Sequence, residues 1–252
     1  MRGENDIELQ LREMKLNYPF LSDQSIDLII SSLIEENDFM PTSKFYRWLE
    51  LLNKEIIFEV EFIGLNKLNN WYFDEKKNLR HISKKFFIIE GIKVEMEFNG
   101  EARKSWDQPI INQPEIGFLG ILCQKKMGIL YFLIQAKIEP GNINKIQVSP
   151  TLQATKSNFT LIHGGKTPPF LEYFNTNSKF IRIIVDQLQS EQGARFLKKR
   201  NRNMIVEVDE DYIIEAIPHN YCWLTLGQIK NLMKKENLVN MDTRTVLSCI
   251  QL

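Results

Sequence analysis

The sequence predicts an α+β protein whose mixed or antiparallel sheet is flanked by helices. Three observations lead there. Apolar residues recur at helical spacing near the start, as Ile26, Ile29, Ile30, Leu33 and Ile34, and then as Phe45, Trp48, Leu49 and Leu52. From Ile56 onward the period shortens to that of strands, Phe58, Val60 and Phe62 alternating with Glu59 and Glu61. Helical signals return late, where Thr225 and Gln228 stand at the spacing of a capping box.

Taken in order, residues 7–17 and 22–37 read as helices, the second capped by Ser22 or Asp23, and Pro41 opens a third. Three helices before any strand mark residues 1–54 as an N-terminal helical extension, an appendage or dimerisation arm, ahead of a domain at 55–252. Residues 58–62 read as a half-buried strand, and Trp71-Tyr72 starts another. The β-rich run 84–97 is interrupted at Gly91, which suggests a bulge or tight bend, and Asn99-Gly100 offers a turn. Pro109 and Pro114 hold their predecessors extended, so 105–115 reads as a rigid loop. Two apolar runs around Met127-Gly128 form a hairpin of core strands. Further on, PPFLEYF starts a short helix, 180–189 is a buried strand, and 190–203 holds a helix capped by Ser190. Residues 204–208 are strand-like, and Asp242 caps the last helix.

Composition excludes several classes. The 252 residues carry 32 Lys+Arg against 32 Asp+Glu, so no global field draws nucleic acid or an anionic membrane. Cys123, Cys222 and Cys249 are too far apart for a zinc motif, and an odd, scattered set fits a reducing cytoplasm. His81, His163 and His219 suggest no metal cage. The charged N-terminus is no signal peptide, and the apolar runs are too short to span a bilayer. Glycine-rich phosphate loops and a GxSxG elbow are missing, which sets aside P-loop enzymes, classical dehydrogenases and serine hydrolases.

Three segments are unusually rich in functional groups. Residues 135–158, QAKIEPGNINKIQVSPTLQATKSN, follow directly from a buried strand and carry amides, hydroxyls and a Lys137/Glu139 pair. They suit the wall of a polar pocket, and a solvated hairpin is the alternative. On a strand, Lys137 and Glu139 share one face. The segment 106–115 offers an indole and amides able to stack on a base or sugar, or a Trp that merely plugs a core edge. The run 187–203 gathers Arg195, Lys198, Lys199, Arg200 and Arg202, a match for a diphosphate or simply a solvated basic face.

WDQPIINQPEIGFLGIL, QAKIEPGNINKIQVSPTLQATKSNFT, QSEQGARFLKKRNRN and the tail NMDTRTVLSC together resemble the NDP-hexose 2,3-dehydratase family of deoxysugar biosynthesis. The resemblance implies a fold similar to that of the Nudix hydrolases. The carboxylate-rich metal helix of those hydrolases has no counterpart here, because 190–203 offers one Glu among basic residues. Typical members hold two tandem units and this chain holds one, so the resemblance implies a homodimer, with the site formed within one chain or across two.

The implied reaction is loss of water across carbons 2 and 3 of a nucleotide-linked 4-keto-6-deoxyhexose, with dTDP as the expected nucleotide. A base removes the carbon-3 proton, donors stabilise the enolate, and an acid protonates the departing carbon-2 hydroxyl. No cofactor and no metal are needed. On this reading Glu139, Lys137 and His163 are the catalytic candidates. Trp106, Gln113, Gln135, Asn142, Gln147, Gln153, Thr155, Ser157 and Asn158 hold sugar and base, with Tyr173 and Glu191 as reserve acid/base groups. Arg195, Arg200 and Arg202 face the diphosphate, and Asp242 and Arg244 either join the site or cap and pair at a helix start. A downstream ketoreductase or aminotransferase would take the product. A non-catalytic nucleotide-sugar binding or partner subunit is the alternative function.

Overall fold

Two sheets organise the chain, and the computed structural model describes residues 9, 13–155, 167–174 and 178–251. Helix α1 (Asp23–Leu33) begins at Ser22, whose side chain accepts from the Ser25 amide at 3.0 Å. It stops four residues before the expected 37, because Ile34 turns extended and its carbonyl accepts the Thr225 hydroxyl. Helix α2 (Thr42–Glu55) buries Phe45, Leu49 and Leu52. Those three and Leu28 share one apolar cluster with Ile121, Phe132, Ile134 and Ile205 of the large sheet. Ser31 adds a polar tie, donating to the Leu130 carbonyl at 2.6 Å and accepting from the Leu226 amide at 2.9 Å.

The strand expected at 58–62 does not form. Residues 56–64 belong to neither sheet, although Ile56 and Gly64 at their two ends are extended. The four-stranded antiparallel sheet follows in chain order, with β1 (Trp71–Phe73), β2 (Leu79–His81), β3 (Ile88–Met96) and β4 (Lys104–Asn112). Most of the segment expected as a rigid loop is therefore strand β4. Its proline is tolerated for a geometric reason. The Ile111 amide bonds outward to the Arg195 carbonyl at 2.8 Å, so the Pro109 nitrogen, two residues earlier, also faces away from β3. Gly91 stays in register opposite Pro109, and no bulge interrupts β3.

The expected hairpin is present as β5 (Gly117–Lys126) and β6 (Ile129–Ile138), turning through Met127 (φ 48°) and Gly128 (φ 75°). β7 (Ile146–Ser149) pairs with the far end of β6, and β8 (Leu152–Thr155) with the start of β5. β9 (Ile181–Ser190), β10 (Arg200–Val208) and β11 (Tyr221–Thr225) complete a mixed sheet of order β11-β6-β5-β10-β9, in which β10 runs parallel to β5. β9 is an edge strand with mostly exposed side chains rather than a buried one. No helix occupies 190–203. The chain makes one turn at Gln192, spends its backbone bonds on Ile111, and enters β10.

Alternation sorts the apolar residues of β5 to two sides. Leu119, Ile121 and Cys123 meet the helices, and Phe118 and Leu122 meet Phe170 and Phe174. Helix α3 (Leu226–Met233) opens on the predicted capping box of Thr225 and Gln228. Helix α4 (Met241–Leu247) is capped by Asn240, not by Asp242, which lies in its first turn. The α+β class with a mixed sheet is thus the observed one. Among the described residues no helix is long and apolar enough to cross a membrane.

Candidate active site

β6 carries its chain out of the core at Lys137, which lies opposite Gln147 of β7. The Lys137 ammonium stands 3.1 Å from Glu139 Oε1, and the Gln153 side-chain amide donates to the same oxygen at 3.1 Å. Lys137 also donates to Gln153 Oε1. Three groups from two segments thus form a closed triangle, all of them partly buried. A wet hairpin would have left them to water. The turn at Pro140-Gly141 closes with the Asn142 amide donating to the Glu139 carbonyl at 3.1 Å. This fixes the backbone of the carboxylate.

A second carboxyl reaches this triangle from the C-terminal helix. The Val148 amide donates to the Leu238 carbonyl at 2.8 Å, and the Asn240 amide to the Val148 carbonyl at 2.9 Å. Asn240 Nδ2 donates to Ser149 Oγ at 2.9 Å, and its Oδ1 accepts from the Thr243 amide at 2.8 Å. Helix α4 is therefore pinned to β7 at its first residue, and Asp242 is held half-buried beside the triangle. Its carboxyl is pushed up to about 6, first by burial and then by the Glu139 charge, against the opposing pull of Lys137, with Glu191 adding to the rise. Such a group holds a proton more readily than an ordinary aspartate.

Glu191 occupies the third side. Asn201 Nδ2 donates to Glu191 Oε2 at 2.6 Å, and the Glu191 amide bonds the Lys199 carbonyl at 2.9 Å. Lys199 is buried and donates to the Glu115 carbonyl; burial lowers its pKa, while Glu115 and Glu191 oppose that shift. Gly117 permits the arrangement, because a Cβ there would run into the Asn201 carboxamide. The sequence reads Lys199 only as one member of a basic run suited to a diphosphate, and it gives Asn201 no role. Within KKRNRN they look like part of a solvated basic run, and only the alternation of β10 separates them.

That alternation also divides the arginines from the cluster. Asn201 and Asn203 lie opposite Gly117 and Leu119, on the side of α4, whereas Arg202 lies opposite Phe118 on the other side. Arg202 donates from Nε and Nη2 to the two carboxylate oxygens of Asp186, at 2.7 and 2.6 Å, and Arg200, on the same side, is exposed. Arg195 is exposed on the turn that bonds to β4. Trp106 is exposed on β4, its indole donating to Gln108 at 3.0 Å.

The remaining candidates scatter. Gln113 is half-buried between β4 and β5, Gln135 lies opposite Ser149, and Thr155 lies opposite Gly117 at the end of β8. Gln147 turns to the Asn237 carbonyl at 2.9 Å. Tyr173 packs on the far side of the sheet near Tyr212, its pKa raised by burial and by Tyr212. Arg244 donates to the carbonyls of Val239 at 3.1 Å and Met233 at 2.8 Å, tying the end of α3 to the start of α4. Ser157, Asn158 and His163 lie outside the described residues. Among the described residues no group of three or more His, Cys, Asp or Glu could hold a metal ion.

The fold and the cluster define an α+β protein that gathers carboxyl, ammonium and amide groups where β6, β7 and β8 meet helix α4. Its family follows from comparison: the family model described as NDP-hexose 2,3-dehydratase matches residues 42–250, and the chain belongs to that family. A dTDP-4-dehydro-6-deoxy-alpha-D-glucopyranose 2,3-dehydratase of Saccharopolyspora spinosa is 47% identical over 233 residues, 92% of this chain and 47% of the relative. An Amycolatopsis orientalis protein of the same name is 43% identical over 228 residues, 88% of this chain and 47% of that protein. The chain spans about half the length of the curated relatives it matches. Among solved structures, the crystal structure of an ADP compounds hydrolase aligns with a TM-score of 0.38 at 12% identity, covering 65% of this chain and 83% of that one. So loose a likeness carries no argument about chemistry.

Proposed function

We propose that this chain is a hydro-lyase that removes water across carbons 2 and 3 of a dTDP-linked 4-keto-6-deoxyhexose, giving a 3,4-diketo-2,6-dideoxy sugar. The observation that carries the reading is the Lys137–Glu139–Gln153 triangle with Asp242 beside it, its carboxyl raised to about 6 by burial and by Glu139, in a member of this family. Elimination needs a base and an acid together, and a site supplies both when two carboxyls are driven to different protonation states.

The steps follow from those groups. Glu139 takes the carbon-3 proton, which the ketone at carbon 4 acidifies. The resulting enolate oxygen is stabilised by the Lys137 ammonium. As the enolate collapses, the carbon-4 ketone reforms, a carbon-2 to carbon-3 double bond forms, and the carbon-2 hydroxyl leaves as water with a proton from Asp242. The enol then tautomerises, placing a proton on carbon 2. Electrons and protons balance without an oxidant.

Gln153, Thr155, Gln135, Asn142 and Gln147, with Ser157 and Asn158, are proposed to line the sugar side, with His163 as a further acid or base. Trp106, Gln113 and Arg195 are proposed to reach the nucleotide. In this reading residues 55–252 carry the site and 1–54 buttress it, and the protein works in the cytoplasm as a pair of chains. A ketoreductase or aminotransferase consumes the diketone.

The test is incubation with dTDP-4-keto-6-deoxyglucose in deuterated water, with the diketone trapped chemically. Deuterium on carbon 2 of the product is expected. Tight binding with neither product nor carbon-3 exchange would replace the enzyme with a binding subunit.

A further inference from the structure

Residues 56–63, IIFEVEFI, have the composition and alternation of a strand, yet they pair with no strand of either sheet among the described residues. Phe62 is 99% exposed and Ile57 92%, and Val60, Ile63 and Leu65 are exposed beside them. The segment is fastened at its start, where Leu52 is buried and Lys145 donates to the carbonyls of Asn53 and Ile56. Isolated exposed apolar residues are ordinary, but a run of them on an unpaired strand is a docking feature. Fully burying a Phe, Ile or Val contributes about 1.5–3 kcal/mol, and here five large apolar side chains go without it.

The neighbouring sheet shows the complementary deficit. β1 is its terminal strand, so one edge of Trp71–Phe73 has no partner in the sheet, and Tyr72 and Phe73 are exposed. Ile82, Phe86, Met96 and Phe98 extend the exposed apolar surface. Charges divide the same way. The unpaired segment carries Glu59 and Glu61, while the turn after β1 carries Lys76 and Lys77 beside Glu75, its Asp74 being taken by Arg80, and Lys84 follows β2. Among the described residues no ion pair involves Glu59, Glu61, Lys76, Lys77 or Lys84.

We propose that residues 56–65 and the β1 edge of the four-stranded sheet form a self-complementary interface, on which the acidic strand of one copy pairs with the lysine-flanked edge of a second copy. A surface of one sign would call for a foreign partner of the other sign. This one carries both halves of its own match, and a two-fold axis uses both at once. Main-chain ladder bonds would supply the pairing, and Val60 and Phe62 the apolar contact. The inference gives the expected pair of chains a surface, and it stands independently of the reaction.

The test is sedimentation velocity on the full chain across a wide concentration range, with activity read separately. A dimer is expected. Val60→Glu and Phe62→Glu should each weaken self-association by about 100-fold or more, as loss of an interface hot spot does. Both variants should keep the thermal melting of the monomer, because these side chains are exposed in the folded chain. Glu59→Lys with Glu61→Lys, and separately Lys76→Glu with Lys77→Glu and Lys84→Glu, should each weaken the dimer, and mixing the two variants should restore a one-to-one pair. A monomer at every concentration, a dimer indifferent to Phe62→Glu, or no rescue on mixing would each overturn the proposal.

Discussion

The two sheets solve the same packing problem in opposite ways. β5 buries every residue from Gly117 to Gln124, helices covering one side and the Phe170–Phe174 region the other. β4, of similar length, buries only Ile110. The seven-stranded sheet is therefore stabilised by its own core, whereas the four-stranded sheet is held mainly by ladder bonds and awaits cover. The difference explains where the candidate chemistry sits. Lys137, Glu139, Gln153 and Asn201 stand on, or just beyond, strands of the well-packed sheet, where positions are reproducible. The smaller sheet meets the larger one at the turn after β9, where Ile111 bonds with Arg195 and Leu197 and the Gln108 side chain donates to the Ala194 carbonyl at 2.9 Å.

The largest expected effects separate chemistry from packing. Glu139→Gln should lower turnover by roughly 10²–10⁴-fold, the worth of a general base, while binding of the nucleotide sugar and the melting temperature hold nearly steady. Steady-state kinetics with a thermal melt would reveal it, and near-normal kcat would take Glu139 out of the mechanism. Phe132→Ala, in the core of the large sheet, should cost about 3–5 kcal/mol of stability. Phe62→Ala, in the dilute monomer, should stay within about 0.5 kcal/mol of the parent. Urea titrations of both variants measure the contrast directly. A large loss at Phe62 would mean that the small sheet has cover within its own chain.

Much of the larger sheet is legible in the sequence because its signals are local. The hairpin of β5 and β6 follows from two apolar runs around a turn, and the box of Thr225 and Gln228 from a spacing of three. What escapes is what depends on distant partners. Residues 58–62 have a strand's alternation, but a ladder needs an edge, and no local pattern reports whether one lies nearby. The prolines of 105–115 argue against a strand until Ile111 shows which way the Pro109 nitrogen faces. The site divides similarly. Lys137 and Glu139 are paired by their spacing, whereas the burial of Lys199 on the Glu115 carbonyl and the contact of Asn201 with Glu191 emerge only from the fold. The raised carboxyl of Asp242 depends first on burial and then on Glu139, which is remote in sequence.

Smaller effects test how α4 delivers that carboxyl. Asn240 caps the helix and also bonds Ser149, so Asn240→Ala should cost about 1–2 kcal/mol, the upper range for a lost cap. The same change frees Asp242 to move. Turnover should fall more than stability alone would require, and a variant that loses stability at full kcat would dissociate the cap from the site.

Asp242 itself gives the smallest effect and the sharpest sign. Its folded carboxyl titrates at about 6 against an ordinary 3.8, so between those values the folded protein binds a proton that the unfolded chain has lost. The associated stability is fully present below the ordinary value and is lost as pH rises through about 6. Partial exposure screens the effect, which leaves about 1 kcal/mol. Asp242→Asn should consequently be the more stable protein at about pH 8, by that margin, and lose the advantage near about pH 4. Urea midpoints at the two pH values measure it. Because Glu139 helps raise the carboxyl, Glu139→Gln should move the window downward, and in the double variant the pH dependence should vanish. An advantage for Asp242→Asn that persists unchanged at low pH would trace to packing rather than charge, and would remove the proton from the proposed acid.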